Sequence, residues 1–417
     1  MKTTEEMKLL PIEELIPYAN NARTHSKEQI TKIRSSLREF GFVNPVLIDK
    51  DKNIIAGHGR CEAAKAEGIK EVPCVMVEHL TEAQKKAYII ADNKLALDAG
   101  WDNEILAVEL ESLKDLNFDV ELTGFNAAEI DDLFSNIHDK EVSDDDFDVD
   151  AALEEEPITK QGDLWLLGRH RLVCGDSTKA ETYEKLMDGK KANLIVSDLP
   201  YNVDYEGTAG KIKNDNMGDK EFYEFLLKAY QNMYENTVDG GAAYIFHADR
   251  ETVNFRTALK DAGFFCHQTC IWVKNSPVLG RSDYLYAHEP ILYAWKPTAG
   301  HKYYADRKQR TVWNFDRPTK SKLHPTMKPL QLLAYPIKNS SLTNSIVLDP
   351  FGGSGSTLIS CEQLDRICYM TELDERFVDV IVKRYIDHVG SDKDVYLIRD
   401  GVKSAYLQCL NTGSENV

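Results

Sequence analysis

Apolar and polar positions repeat at two different periods along this chain, and the change between them divides it. In SKEQITKIRSSLREFG the apolar Ile30, Ile33 and Leu37 recur at helical spacing, Ser26 and Gln29 carry the signature of a capping box, and Gly41 supplies the stop. VNPVLID and NIIAG read as short strands, RCEAAKAEG as a helix closed by Gly68, and EVPCVMVE as another strand. Thr81 with Gln84 opens a helix in EAQKKAYIIADNKLAL, and Asn126 with Glu129 opens one in NAAEIDDLF. This block predicts a small α+β unit over 1–137 with a helical end. From residue 159 the pattern becomes short apolar runs between amphipathic stretches. NLIVSD, GGAAYIFHA, FCHQTCIWV, EPILYAW, SIVLD, RICYMTE and DVYLIRD read as strands; KEFYEFLLKAYQNMYEN, DRETVNFRTALKDAG, KPLQLLAYPIKNS and DERFVDVIVKRYIDHVG read as helices. Uninterrupted apolar strands alternating with helices predict a largely parallel sheet covered on both faces, hence an α/β fold over 159–400 with a tail at 401–417.

Between the two blocks the periodicity vanishes. HDKEVSDDDFDVDAALEEEP, residues 138–157, is dense in carboxylates and too poor in apolar residues to fold alone, which predicts an acidic linker over 138–158, a solvated spacer in preference to an interaction tail. The chain's formal net charge of −18 excludes indiscriminate coating of nucleic acid, so any such contact has to be local. Residues 301–324 offer a local patch, interleaving Lys302, Arg307, Lys308, Arg310, Arg317, Lys320 and Lys322 with Tyr303, Tyr304, Trp313 and Phe315. That mixture suits a DNA-recognition segment and also a solvated loop packed by its own aromatics. A hydrophobic content of 42% with 28% charged residues is that of an ordinary soluble globular protein. No apolar run approaches the roughly 18 residues of a membrane span, and the expectation is a cytoplasmic protein with no membrane partner. The cysteines show no paired spacing and read as reduced thiols; Cys266, His267 and Cys270 in CHQTC lack a second ligand pair, so no metal site is expected.

Candidate chemistry in the first block sits at IIAGHGRCEAAKAEG, where a strand ends in glycines before a helix. Such a turn aims free backbone N–H groups at one spot, and Arg60 is at hand to hold an anion, although a glycine-rich turn alone is more often only a turn. Residues 10–97 resemble the ParB N-terminal-like domain, Gly57, His58, Gly59 and Arg60 matching its G-x-x-R box. The resemblance implies a nucleotide- or phosphate-binding module. The related sulfiredoxins carry a catalytic cysteine inside this box where His58 stands, and Cys61 falls outside it.

In the second block two strand ends carry the chemistry. SIVLDPFGGSGST delivers Asp349 to the sheet edge, after which Gly352, Gly353 and Gly355 permit close backbone approach, and Ser356 and Thr357 start a helix. The spacing is neither that of a dinucleotide fingerprint nor that of a phosphate loop. Further on, RICYMTE ends in Glu372, suited to accept hydrogen bonds from both ribose hydroxyls. Together they point to an adenosine-containing cofactor without a pyrophosphate grip. LIVSDLPYNV ends a strand at Asp198. A nucleobase amine is a poor nucleophile because its lone pair is conjugated into the ring, and two acceptors held around the nitrogen would free it. Asp198 offers its carboxylate, Leu199 its main-chain carbonyl aimed by the restriction Pro200 imposes, and Tyr201 a face for a flipped base. The bland alternative for Asp198 is a strand-end turn former.

At these residues the chain resembles the beta-class amino DNA methyltransferases, in which a D-P-P-Y motif precedes an F-x-G-x-G motif. Asp198-Leu199-Pro200-Tyr201 matches the first, with Leu199 replacing its first proline, and Phe351-Gly352-Gly353-Ser354-Gly355 the second. The resemblance spans about residues 160–390 and implies a Rossmann-like methyltransferase sheet with S-adenosylmethionine as cofactor and double-stranded DNA as substrate. It further implies Asp176 of VCGDST near the cofactor adenine, Thr326 and Lys328 of HPTMKP near its methionine end, and Glu372 at its ribose. Asp176 is also suited to cap the helix that follows it. Adenine N6 is the implied acceptor, because the family's cytosine-N4 members more often carry serine in place of Asp198. The competing readings are cytosine-N4 methylation, a ParB-like nucleotide-dependent DNA-binding protein with an inactive second half, and methylation of RNA or protein amides, where Asn is usual at this position. A homodimer is compatible with the sequence. Met370, where a glycine often precedes the ribose acid, has no reading at this level.

Overall fold

The computed structural model describes residues 7–19, 21, 23–136, 140–202, 206–207, 210–211, 216–277, 283–306, 308–316 and 327–412. They fall into two units, Met1–Leu133 and Phe134–Val417.

In the first unit a four-stranded sheet runs in the order Met7–Pro11, Glu71–Met76, Val46–Ile48, Ile54–Ala56. Helix Lys27–Phe40 lies where the periodicity puts it, burying Ile30 and Leu37 and ending at Gly41 with φ 74°. Its capping box is only half made: the Ser26 hydroxyl accepts from Gln29 N at 3.1 Å, but the Gln29 side chain bonds the His25 ring instead of reaching back. At helix Glu82–Asp98 the box of Thr81 and Gln84 is complete, and Asn126 and Glu129 exchange both bonds at 2.7 and 2.9 Å. Strand Met7–Pro11 and helix Asn103–Asp115 were not legible from the pattern.

The second unit is built on an 11-stranded Rossmann-like sheet. At its centre Thr237–Phe246, Ala192–Asp198, Ile346–Asp349, Ile367–Glu372 and His170–Cys174 run parallel in that order. Outside that centre the sheet is mixed: Phe265–Val273 pairs in parallel with Val312–Asn314, and other neighbours are antiparallel. Leu164–Leu167 returns on His170–Cys174 as a hairpin, and His288–Trp295 runs antiparallel between Thr237–Phe246 and Phe265–Val273. The short link through Gly168 and Arg169 forces the hairpin's direction, because a parallel return needs a crossover. Alternate residues of the central strands feed opposite cores, which explains their continuous apolar runs: Leu194 and Val196 join one cluster, Ile195 the other. Helices Asp219–Glu235, Thr252–Asp261 and Ala180–Met187 cover one face, and Leu330–Ser340, Ser356–Gln363 and Glu375–Val389 the other.

The described part of the acidic run is not a free spacer. Val142 is buried in the main core, and Val149 and Ala152, on a short helix Val149–Leu153 capped by Asp148, pack on Val380. Its carboxylates find partners remote in sequence. Asp144 accepts from Leu330 N at 2.8 Å, satisfying a free donor at a helix start, and Asp145 pairs with Arg384 at 2.8 and 3.0 Å.

Candidate active site

Strand Ala192–Asp198 pairs in parallel with Ile346–Asp349, Leu194 opposite Val347 and Ile195 opposite Leu348. The register carries Asp349 to the level of Val196 and Asp198 further out on the neighbouring strand, both at the carboxyl edge of the sheet, where ligands of such sheets collect. The next strands bring Glu372 and Cys174 opposite one another at the same edge, so Asp176 follows directly. One edge thus gathers Asp176, Asp198, Asp349, the glycine turn and Glu372.

The glycine turn is held from beneath. Gly352 N donates to Thr371 O and Gly355 N to Gly352 O, both at 2.9 Å. A Cβ on Gly352 would lie 2.6 Å from the Met370 sulfur, closer than any side chain tolerates. Met370 is therefore the floor of the turn, a role the sequence did not disclose. Gly353, with φ 52°, opens onto space: a Cβ there meets no atom within 4 Å. Glu372 accepts from Gly353 N at 2.8 Å and from Asp374 N at 2.9 Å; burial raises its pKa, and those main-chain donors oppose the rise. Asp176 accepts from Thr178 N and its hydroxyl at 2.9 and 2.8 Å. It shapes that turn and does not cap helix Ala180–Met187, whose N-cap is Lys179. An acid on an open glycine turn fits an adenosine cofactor better than a phosphate.

Asp349 is enclosed. Burial raises its pKa to about 7, although Thr357, Phe351 N and Ser197 donate to it and pull the other way. A carboxyl that keeps its proton more tightly folded than unfolded loses stability as pH rises from about 4 towards 7. Asp349→Asn removes that loss, so its stability relative to wild type is expected to rise between about pH 5 and about pH 8, read from urea midpoints. An unchanged difference at the two pH values would contradict the assignment.

Asp198 sits in a charged cluster. Tyr201 donates its hydroxyl to Oδ1 at 2.5 Å, and Lys328 Nζ lies 2.7 Å from Oδ2. Lys328 also reaches Glu289 at 3.1 Å, Tyr201 reaches Glu289 at 3.2 Å, and Lys274 pairs with the other Glu289 oxygen. Lys328, expected at the cofactor, is thus on the Asp198 carboxylate. Burial works against its charge, yet Asp198 and Glu289 raise its pKa. The same environment, burial first and then the two acids, pushes Tyr201 far above the ordinary phenol range. Leu199 is buried, and Asn202, at φ 56°, anchors the loop by exchanging bonds with the Met217 main chain at 3.1 and 2.6 Å. Glu289 and Lys274 escaped the sequence reading. The available signal was a charge at the end of each of two strands, and register brings both to this edge: Trp272 faces Glu289, and Lys274 N donates to Ala287 O.

Residues 192–383 match the family described as DNA methylase, 104–161 the ParB-methyltransferase HTH domain and 1–93 the ParB N-terminal domain. The chain is a ParB-fused amino DNA methylase. The ParB-like nuclease domain-containing protein YnaK of Escherichia coli K12 is 47% identical over 85 residues, covering 20% of this chain and 98% of that protein. The type II methyltransferase M.HinfI of Haemophilus influenzae is 26% identical over 261 residues, covering 54% of this chain and 72% of its own length. Among solved structures, the cytosine-N4-specific PvuII DNA methyltransferase matches 57% of this chain and 94% of its own at 14% identity, with a TM-score of 0.42. The HTH match spans the acidic run, which fits its packed state.

In this ParB-fused methylase the basic aromatic segment divides. Trp313 is buried and packs its ring on Tyr335 at 5.0 Å, with Phe315 5.7 Å from the same ring; Tyr303 also packs on the core. The described aromatics are therefore core-facing, while Lys308 and Arg310 are exposed and Lys302 is half-buried. Arg307, Arg317, Lys320, Lys322 and Thr326 lie outside the described residues. In the ParB unit, Gly57 adopts φ 105° at the start of helix His58–Ala66, and the His25 ring lies 3.0 Å from where a Gly59 Cβ would be. His58 Nε2 accepts from Tyr18 N at 3.1 Å. Arg60 donates to Pro45 O at 3.2 Å, and its buried Nε has no partner among the described residues. Among the described residues no helix is long and apolar enough to cross a membrane.

Proposed function

We propose that the second unit methylates the N6 amine of an adenine flipped out of double-stranded DNA, with S-adenosylmethionine as donor. The observation that carries the reading is the parallel pairing that sets the end of the Asp198 strand beside the Asp349 strand and its glycine turn. The turn Phe351–Gly355 with Glu372 and Asp176 would hold the cofactor, which supplies an electrophilic methyl group on a sulfonium. The Asp198 carboxylate and the Leu199 carbonyl accept the two amine hydrogens, drawing the nitrogen towards tetrahedral geometry and directing its lone pair at the cofactor cleft. Tyr201 stacks on the extruded base. The nitrogen's surplus proton leaves to the Asp198 carboxylate or to water, and the Asp198 side chain is 32% exposed, so solvent is within reach.

Adenine over cytosine is supported by the acid itself, since serine is commoner at this position among cytosine-N4 enzymes of the type this chain resembles. Lys302, Lys308 and Arg310, with Arg307, Arg317 and Lys320, are the proposed DNA contacts. In the ParB unit, Gly57, His58, Gly59 and Arg60 are the proposed nucleotide site, supported by the left-handed Gly57 and the unpartnered Arg60 Nε. The test of the main reading is incubation of the full chain with labelled S-adenosylmethionine and plasmid DNA, followed by nucleoside analysis. N6-methyl-2′-deoxyadenosine is expected; label in N4-methyl-2′-deoxycytidine would overturn the base assignment, and unlabelled DNA would overturn the activity.

A further inference from the structure

Each Asp198 oxygen already holds a donor, Oδ1 the Tyr201 hydroxyl and Oδ2 Lys328 Nζ, so an incoming amine must share the carboxylate with a phenol and an ammonium that draw on its electrons. A second carboxylate lies against the same two donors. Glu289 Oε2 is 3.1 Å from Lys328 Nζ and 3.2 Å from the Tyr201 hydroxyl. Glu289 is itself fixed from behind, because its Oε1 bonds Lys274, whose side chain is 4% exposed and whose ammonium sits 5.2 Å from the Trp272 ring. The cluster holds two carboxylates and two ammonium groups, so it stays neutral whichever acid Lys328 favours.

We propose that Glu289 is a positioning residue for methyl transfer: as the target base enters, it takes Lys328 and Tyr201 from Asp198 and frees that carboxylate for the amine. The inference rests on the methyltransferase reading above. Lys328 already touches both acceptors, so the hand-over needs little travel and separates no charge. Without a second acceptor, an ammonium with 9% of its side chain exposed would be held on Asp198 by weakly screened attraction, and the base would have to break that pair unaided. Burial works against the Glu289 charge, yet Lys328 and Lys274 hold its pKa down to about 2, so the receiving acid is ionised at neutral pH. The Phe246 ring, 5.5 Å from Lys328 Nζ, offers the ammonium no oxygen.

The test uses the full chain, labelled S-adenosylmethionine and plasmid DNA under single-turnover conditions. Glu289→Gln keeps the shape but receives a cation poorly, so the transfer rate is expected to fall by about 10- to 100-fold, with cofactor affinity within about twofold of wild type. Glu289→Asp should recover part of the rate. The decisive variant is Glu289→Gln combined with Lys328→Met: removing the trapped cation should make the double variant faster than Glu289→Gln alone. A merely structural role predicts the reverse, because a second buried change adds damage. An unchanged rate in Glu289→Gln, a double variant no faster than the single, or loss of cofactor binding would each overturn the inference while leaving the methyltransferase reading intact. Absence of transfer by the wild-type chain would instead overturn that reading and this inference with it.

Discussion

Asp198→Ala is expected to lower methyl transfer to DNA by about 1,000-fold or more while leaving affinity for S-adenosylmethionine within about threefold. The two effects separate because the acid and the proposed cofactor turn sit on neighbouring strands and share no hydrogen bond: the turn is held by Thr371, Glu372 and Met370. Nor does the substitution strand a charge. Lys328 keeps Glu289 at 3.1 Å, and the Tyr201 hydroxyl keeps the same acid at 3.2 Å. What disappears is the acceptor that localises the amine's lone pair. Asp198→Asn is expected to fare little better, since its amide can present a donor where the reaction needs an acceptor. Calorimetric titration with the cofactor beside a single-turnover assay checks both halves. Loss of cofactor affinity in step with rate would mean that Asp198 organises the pocket instead of acting on the base.

How much of this was legible in the sequence depended on how far apart the partners lie. The central strands announced themselves because each is an unbroken apolar run, and two of their ends were legible as the places that carry chemistry. The hairpin Leu164–Leu167 with His170–Cys174 gave a weaker signal, a short run broken by Gly168 and two basic residues. Lys328 was legible as a site residue but not its neighbour, because the motif fixes identity and not the direction of a long side chain. Glu289 and Lys274 looked like ordinary strand-end charges; only the antiparallel register brings them to the edge where Asp198 ends. The acidic run misled for the same reason. Counted locally, its carboxylates have no partners and its few apolar residues no core. The partners are Leu330 and Arg384, and the core belongs to the helix Glu375–Val389.

That packing carries the second large effect. Arg384, 1% exposed, donates both Nε and Nη2 to the Asp145 carboxylate, while Nη1 reaches Ser354 O at 3.0 Å and the Ser356 hydroxyl at 3.1 Å. One guanidinium therefore ties the acidic run to the glycine turn. Arg384→Ala leaves Asp145, whose side chain is 13% exposed, without its cation, and removes a donor from the turn. A loss of about 3–5 kcal/mol in the unfolding free energy of this unit is expected, together with weaker binding of S-adenosylmethionine. Arg384→Lys should keep the charge but not the fork, recovering only part of either. Asp145→Asn separates the contributions: Ser354 keeps its donor, so stability should fall with cofactor affinity nearly preserved. Urea unfolding and cofactor titration of the variants provide the measurement. If Arg384→Ala unfolds at the wild-type midpoint, the run is not bound to the sheet as the geometry requires, and the spacer reading of residues 140–157 returns.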